Sequence, residues 1–287
     1  MEMMSVTSSL SPWLQQLRRA EIANVVVSDP RSRDGSRLGV SFDVARREVV
    51  GGGQADFDEE WRGHGVTLSG SDRALLYGFC NLSGHLLELT HALRMLLRRA
   101  EGFRDPVVLD LGCGPCTGGL ALADVLELDA AFTYVGVDRA ASMRALGEQL
   151  ATKAQAFGRM CNVQRKWATS VETVKWTDPQ SWRPVLVIVS YLLASPTLDV
   201  VALMNSVMPL VSRISRGRVV ILYTNSAWEG HNLQFPLFRE TVQSHGFELV
   251  IDDERGEIPV FGSDARSVRY ALFSRGSQQI LELGGDK

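Results

Sequence analysis

The sequence has no apolar run long enough to cross a bilayer: its longest, Pro184 to Ala194, is about half of the roughly 20 residues a spanning helix needs. Its first residues, MEMMSVTSSLSPW, lack the basic stretch and apolar core of a secretory leader, so a soluble, cytoplasmic protein with no membrane partner is expected. Cysteine is scarce. Four cysteines in 287 residues (Cys80, Cys113, Cys116 and Cys161) make no disulfide framework, and no second cysteine pair accompanies Cys113 and Cys116 to complete a zinc site, so no metal is expected. Excess charge of either sign is also lacking. With 33 acidic and 30 basic residues and a formal net charge of −3, no global field points to nucleic acid, although a local basic face stays open.

What is present is a chain 45% hydrophobic, enough to bury one sizeable α/β core with an accessory segment. Residues 1–68 read as an N-terminal extension. Within it, ANVVVS at 23–28 and the alternation of Leu38, Val40, Phe42 and Val44 predict two strands of a hairpin around DPRSRDGS. The glycines at 51–53 and the acidic cluster Asp56, Asp58, Glu59 and Glu60 predict an exposed loop or lid. Leucines at mixed three- and four-residue spacing from Leu75 to Leu97 predict two helices as a lead-in over 69–104. Arg94, Arg98, Arg99 and Arg104 near its end read as a solvated helix face rather than a phosphate site.

From Asp105 the pattern alternates: strand 106–111, helix 117–128, strand 132–138, helix 140–156, strand 162–168, strand 184–191, helix 197–213, strand 218–224, helix 232–245, then strands 247–252 and 267–274. Strands separated by helices imply a parallel sheet with helices on both faces, because parallel neighbours need a crossover. The last two strands have only a loop rich in Asp, Gly and Pro between them, so the last strand is expected to run antiparallel. The fold class is therefore α/β: a seven-stranded, mostly parallel sheet over residues 105–276, followed by a polar tail at 277–287.

The chemistry concentrates in VVLDLGCGPCTGGLAL, where Gly112, Gly114, Gly118 and Gly119 lie between a buried strand and a helix. Glycine there lets a ligand lie against the main chain at a helix N-terminus. A dinucleotide fingerprint needs glycine three residues after Gly114, and Thr117 stands there. Asp110, just before the turn, is placed to meet a cofactor ammonium or to organise the loop. Cys113-Gly114-Pro115-Cys116 also spells the thioredoxin tetrapeptide, but Gly112 takes the place of that motif's tryptophan, so dithiol catalysis is not expected.

On Asp110, Leu111, Gly112, Cys113 and Gly114 the sequence resembles the class I S-adenosylmethionine-dependent methyltransferases, in order of elements over roughly residues 105–275. The resemblance implies S-adenosyl-L-methionine as cofactor, with the 110–114 turn against it. It implies Asp138, beside Arg139, as the carboxylate on the ribose hydroxyls, a role compatible with starting the following helix. Adenine contacts are implied at Thr169, Ser170 and Val171. In VLVIVSYLLAS it puts Ser190 on the cofactor and Tyr191 on the substrate side, against the alternative that Tyr191 caps the core with its hydroxyl at the surface. The Asn/Asp-Pro-Pro-aromatic motif of amino-group nucleic-acid methylases is absent.

In LYTNSAWEGHN, Glu229 and His231 are candidates for the base that a protonated nucleophile would need; alternatively Asn225 or Ser226 simply leads into the next helix. His64, His85, His91, His231 and His245 are scattered and, as to metal binding, read as surface or packing residues rather than ligands. The segments SYLLAS, ALGEQL and VVLDLGCGP are further similar to methyltransferase-like proteins of the mitochondrial and bacterial small ribosomal subunit, whose additional metal-cluster cysteines are lacking here. The reading is a methyltransferase acting on a small-molecule or macromolecular acceptor. The alternative is a methyltransferase fold that binds a partner without catalysis, for example on the ribosome.

Overall fold

The computed structural model describes residues 10–51, 56–98, 103–126, 128, 131–258 and 266–276. Arg99, Gly52, Gly53 and the expected tail at 277–287 lie outside them.

The extension departs from the expected hairpin at 23–28 and 37–44. A helical stretch runs instead through α1 (Pro12–Arg18), a π turn (Arg19–Ala23) and α2 (Asn24–Ser28). The β-branched run suggested a strand, but tertiary packing decided against it. Ile22 and Val26, four residues apart, are fully buried, while Val25 and Val27, which a strand would bury together, are 42% and 55% exposed. Residues 37–40 make a tight turn in which Arg37 and Val40 exchange backbone hydrogen bonds across Leu38 and Gly39, both at positive φ. Ser41 then caps α3 (Phe42–Val44) through the Val44 amide at 3.2 Å, and a π turn follows at Ala45–Val49. The extension does contain a hairpin, further along: β1 (Trp61–Gly63) pairs antiparallel with β2 (Val66–Leu68) across His64 and Gly65, both at positive φ as such two-residue turns require.

The acidic cluster is not a free connection. Asp58 accepts from the amides of Ala141 and Ser142 at 2.8 and 3.0 Å, and the Ser142 hydroxyl donates to the Phe57 carbonyl at 2.8 Å. Arg73 is buried and donates to the carbonyls of Asp56, Glu59 and Val49, pinning the segment from beneath. The two lead-in helices form as expected: α4 (Gly70–Cys80), opened by a Ser69/Asp72 capping box, and α5 (Leu82–Leu97).

The main sheet is made by β3 (Val107–Leu111), β4 (Phe132–Val137), β5 (Val163–Ala168), β6 (Val185–Ser190), β7 (Val219–Ser226), β8 (Glu248–Ile258) and β9 (Arg266–Arg275). Their order is β5-β4-β3-β6-β7-β9-β8; the first five are mutually parallel, and β9 is antiparallel to both its neighbours, as the sequence led us to expect. The connecting helices are α6 (Thr117–Val125), α7 (Ala141–Ala154), α8 (Val200–Ile214) and α9 (Phe235–Ser244).

Strand alternation divides the core by face. Val108, Tyr134, Leu186, Ile188 and Leu222 pack with α5, α6 and α7, whereas Val107, Leu109, Val187, Ile221 and Phe273 pack with α8 and α9. The chain switches from one side of the sheet to the other at β3, flanked by β4 and β6. In such sheets the crevice beyond the carboxyl ends of the strands at that point is where ligands bind.

Candidate cofactor site at the carboxyl ends of the strands

Gly112, at φ +66°, and Gly114, at φ +51°, turn the chain sharply after β3, a region of φ that L side chains rarely adopt. The amides of Gly112 and Cys113 both donate to the Val137 carbonyl, at 2.8 and 3.1 Å, and lash the turn to the end of β4. Asp138 completes the lashing: its carboxylate accepts from the Gly114 amide at 2.9 Å with one oxygen and from the Ala140 amide at 2.9 Å with the other. Burial raises its pKa, although the Ala140 and Gly114 amides pull the other way. Each oxygen keeps a further lone pair, so a carboxylate held this way still fits a pair of ligand hydroxyls. Arg139 is exposed, and Arg144 holds the carbonyls of Asp138 and Arg139.

Asp110 lies beneath the loop. Its Oδ2 accepts from the Tyr134 hydroxyl at 2.7 Å and from the Gly118 amide at 3.2 Å, and burial raises its carboxyl to about 7. Of the two roles open to it, the observed contacts are those of loop organisation. A side chain at Gly118 would meet Asp110 Oδ2 at 2.5 Å, which is why glycine stands there. Cys113 and Cys116 are buried free thiols whose pKa values burial pushes far up, the reverse of an exposed redox thiolate.

Thr169, Ser170 and Val171 follow β5 at the same edge. Val171 is buried, while Ser170 and Thr173 form a local capping box and the Thr169 hydroxyl lies 3.2 Å from that of Thr173. Ser190, ending β6, accepts from the Thr224 hydroxyl at 2.9 Å.

Tyr191 has φ +58°, but its hydroxyl is not at the surface: it donates to Glu88 Oε2 at 2.5 Å, and the ring stacks on His85 at 3.8 Å between centroids. Glu88 is 1% exposed and its Oε1 accepts from Arg266 at 2.6 and 3.0 Å. Burial raises the pKa of both Glu88 and Tyr191, against Arg266 in each case. His85 Nδ1 lies 3.0 Å from the Tyr77 hydroxyl, and burial lowers its pKa to about 3, keeping the imidazole neutral. The sequence reading missed Tyr77, His85, Glu88 and Arg266. A detectable signal was the pair His85 and Glu88, three residues apart on one face of an otherwise leucine-rich helix.

Glu229 and His231 sit on a 3-10 turn (Glu229–His231) after β7. His231 Nδ1 lies 2.7 Å from the Ser226 hydroxyl, burial lowers its pKa, and its ring meets Trp228 edge-on. Asn225 donates to the His231 carbonyl and to the Tyr223 hydroxyl, folding the turn back onto the strand rather than opening a helix. Glu229 is exposed. Among the described residues no hydrogen bond links Glu229 or His231 to Tyr191. Also among the described residues, no cluster of three or more His, Cys, Asp or Glu is placed to hold a metal, and no helix is long and apolar enough to cross a membrane.

The family model described as mitochondrial small ribosomal subunit Rsm22 matches residues 72–249, more than half of the chain. No curated protein matches it. Solved structures similar to it include a SAM-dependent methyltransferase of Leishmania major, 12% identical with a TM-score of 0.46 over 70% of this chain and 77% of that one. Another is the magnesium protoporphyrin IX methyltransferase of Synechocystis with bound SAM, 17% identical with a TM-score of 0.44 over 88% and 97%.

Proposed function

The chain belongs to the mitochondrial small ribosomal subunit Rsm22 family, and from that premise we propose that it binds S-adenosylmethionine at the β3 switch point and transfers a methyl group to an acceptor reaching the same edge. The observation that carries this reading is the glycine turn at positive φ, clamped by Asp138 through the Gly114 amide. The main chain of Gly112, Cys113 and Gly114 offers the close approach. Asp138 takes the ribose hydroxyls with its remaining lone pairs, Arg139 borders them, and Thr169, Ser170 and Val171 bound the adenine. Ser190 lies at the methionine side, and Asp110 keeps the turn in shape from below. The cofactor supplies an electrophilic methyl group, so the protein's main task is alignment.

Tyr191 orients the acceptor rather than deprotonating it, since its hydroxyl proton is committed to Glu88. Where the nucleophile carries a proton, His231 is the better base, neutral and half-buried at the mouth, with exposed Glu229 beside it. The experiment is calorimetric titration with S-adenosylmethionine, S-adenosylhomocysteine and NAD of the wild type, Asp138→Ala and Gly112→Val. Saturable binding of the first two, lost in both variants, is the expected result; binding of none overturns the reading.

The family's description favours a second reading, in which the fold holds the cofactor and serves as a binding or assembly protein of a small ribosomal subunit. Methyl incorporation from labelled cofactor into small-subunit particles separates the two: label supports transfer, and co-sedimentation without label supports the assembly role. A cytoplasmic location is proposed together with the first reading; fractionation tests it against the mitochondrial compartment that the family's description names.

A further inference from the structure

The two loop glycines face Tyr77 and Leu192, which lie at the two ends of one aromatic array. A Cβ built on Gly114 would find Tyr77 Cε1 at 3.9 Å, and one built on Gly112 would find Leu192, the neighbour of Tyr191, at 3.0 Å. Between these limits the rings are continuous: Tyr77 meets His85 edge-on at 5.8 Å, and His85 stacks on Tyr191 at 3.8 Å and 21°. Tyr77 and Leu192 therefore border the turn directly, and His85 and Tyr191 continue the ring array from Tyr77. Burial, and after it the carboxylates of Asp138, Glu88 and Asp110, raise the pKa of the Tyr77 hydroxyl. The cation in the network, Arg266, is engaged by Glu88 on the side of β9.

We propose that Tyr77, His85 and Tyr191, set in place by the Glu88 carboxylate, form a cation-selective wall that favours the charged sulfonium of S-adenosylmethionine over the neutral thioether of S-adenosylhomocysteine. The inference rests on the cofactor reading above. The electron-rich face of an aromatic ring attracts a cation within about 6 Å and has no such pull on a thioether. A protonated imidazole would cancel the effect, and burial keeps His85 neutral. Glu88 is a positioning residue: it fixes the Tyr191 ring by its hydroxyl and pairs with the Arg266 guanidinium, which also acts on Tyr191 and His85, so that the neighbouring positive charge is balanced. Such a wall binds the methyl donor firmly and loosens its grip once the charge has left with the methyl group.

The test is the ratio of the two dissociation constants, S-adenosylhomocysteine over S-adenosylmethionine, measured by calorimetry on the full chain. Tyr77→Leu and Tyr191→Leu are each expected to lower that ratio about tenfold, the size of one cation–π contact, by weakening S-adenosylmethionine alone. Tyr77→Phe, which keeps the ring, should preserve it, and Glu88→Gln should lower it by about threefold. Tyr191→Met, whose flexible unbranched chain fills irregular space better than leucine and has no π face, repeats the measurement should the Leu variants fail to fold. A parallel loss of both ligands at constant ratio overturns the wall and leaves the cofactor reading standing. Failure of the wild type to bind either ligand overturns both.

Discussion

Tyr134 donates its hydroxyl to Asp110 in a 2.7 Å hydrogen bond that joins neighbouring strands of the parallel sheet directly beneath the glycine turn. Both residues are fully enclosed, so no water replaces the bond when it is cut. Tyr134→Phe leaves the carboxyl with the Gly118 amide as its remaining partner and is expected to cost about 1–3 kcal/mol of stability. Denaturant unfolding measures it; a variant as stable as the wild type would mean that the bond is not formed.

The same carboxyl should give the protein a traceable pH dependence. Asp110 is raised from 3.8 to about 7 in the folded chain, so the native state holds the extra proton between these values and stability falls as pH rises through the window. His85 is lowered from 6.5 to about 3, so there the unfolded chain holds the extra proton and stability rises with pH over its window. The two slopes oppose each other between about pH 4 and 6.5. In Asp110→Asn the His85 slope stands alone, on the order of 1 kcal/mol per pH unit, and thermal melts from pH 4 to 6.5 should climb more steeply than those of the wild type. In His85→Gln they should fall. Identical profiles in all three proteins would refute the assignment.

The two glycines of the turn should respond differently to alanine. Gly114→Ala incurs the left-handed backbone penalty, about 1–2 kcal/mol, with Tyr77 at ordinary contact distance and no clash. Gly112→Ala adds a 3.0 Å approach to Leu192 and should cost more. Gly112→Ala combined with Leu192→Ala should recover part of that excess, whereas strictly additive losses would show that the contact is not the cause.

Asp58 caps α7 from 83 residues away. Against a desolvation cost, the Ser142 and Ala141 amides hold its carboxyl below the usual range. Asp58→Ala should lose about 1 kcal/mol, and Asp58→Asn, which still accepts hydrogen bonds, distinctly less. Protection of the Ala141 and Ser142 amides from hydrogen exchange is the direct readout, and it should drop in Asp58→Ala.

Local patterns made the sheet legible. Buried strands such as VVLDL, followed by a glycine turn and a helix, and VLVIVS, opened by Pro184, specify their own class, and the loop after β8 foretold the antiparallel β9. The positions of Asp138 and the glycine turn after β4 and β3 were legible because strand ends punctuate the sequence. Tyr191 was located for the same reason, but its partner was not: Glu88 looks like any glutamate on a helix until α5 is laid across the strand ends. The extension failed as a sequence reading because Ile22 and Val26 are buried by contacts from elsewhere in the chain.

The clasp between Glu88 and Arg266 spans 178 positions. During synthesis at roughly 5–20 residues per second, Glu88 waits about 9 to 36 s, and Tyr191 about 4 to 15 s, for the arginine that completes their network. Over that interval β7 and β8 also lack β9, the strand that lies between them. The nascent chain thus carries Tyr77, His85 and the glycine turn before Tyr191 and well before Arg266, so a product released before Arg266 is made has Glu88 without its cation and an unfinished sheet, a species that quality control can recognise by its unpaired edges.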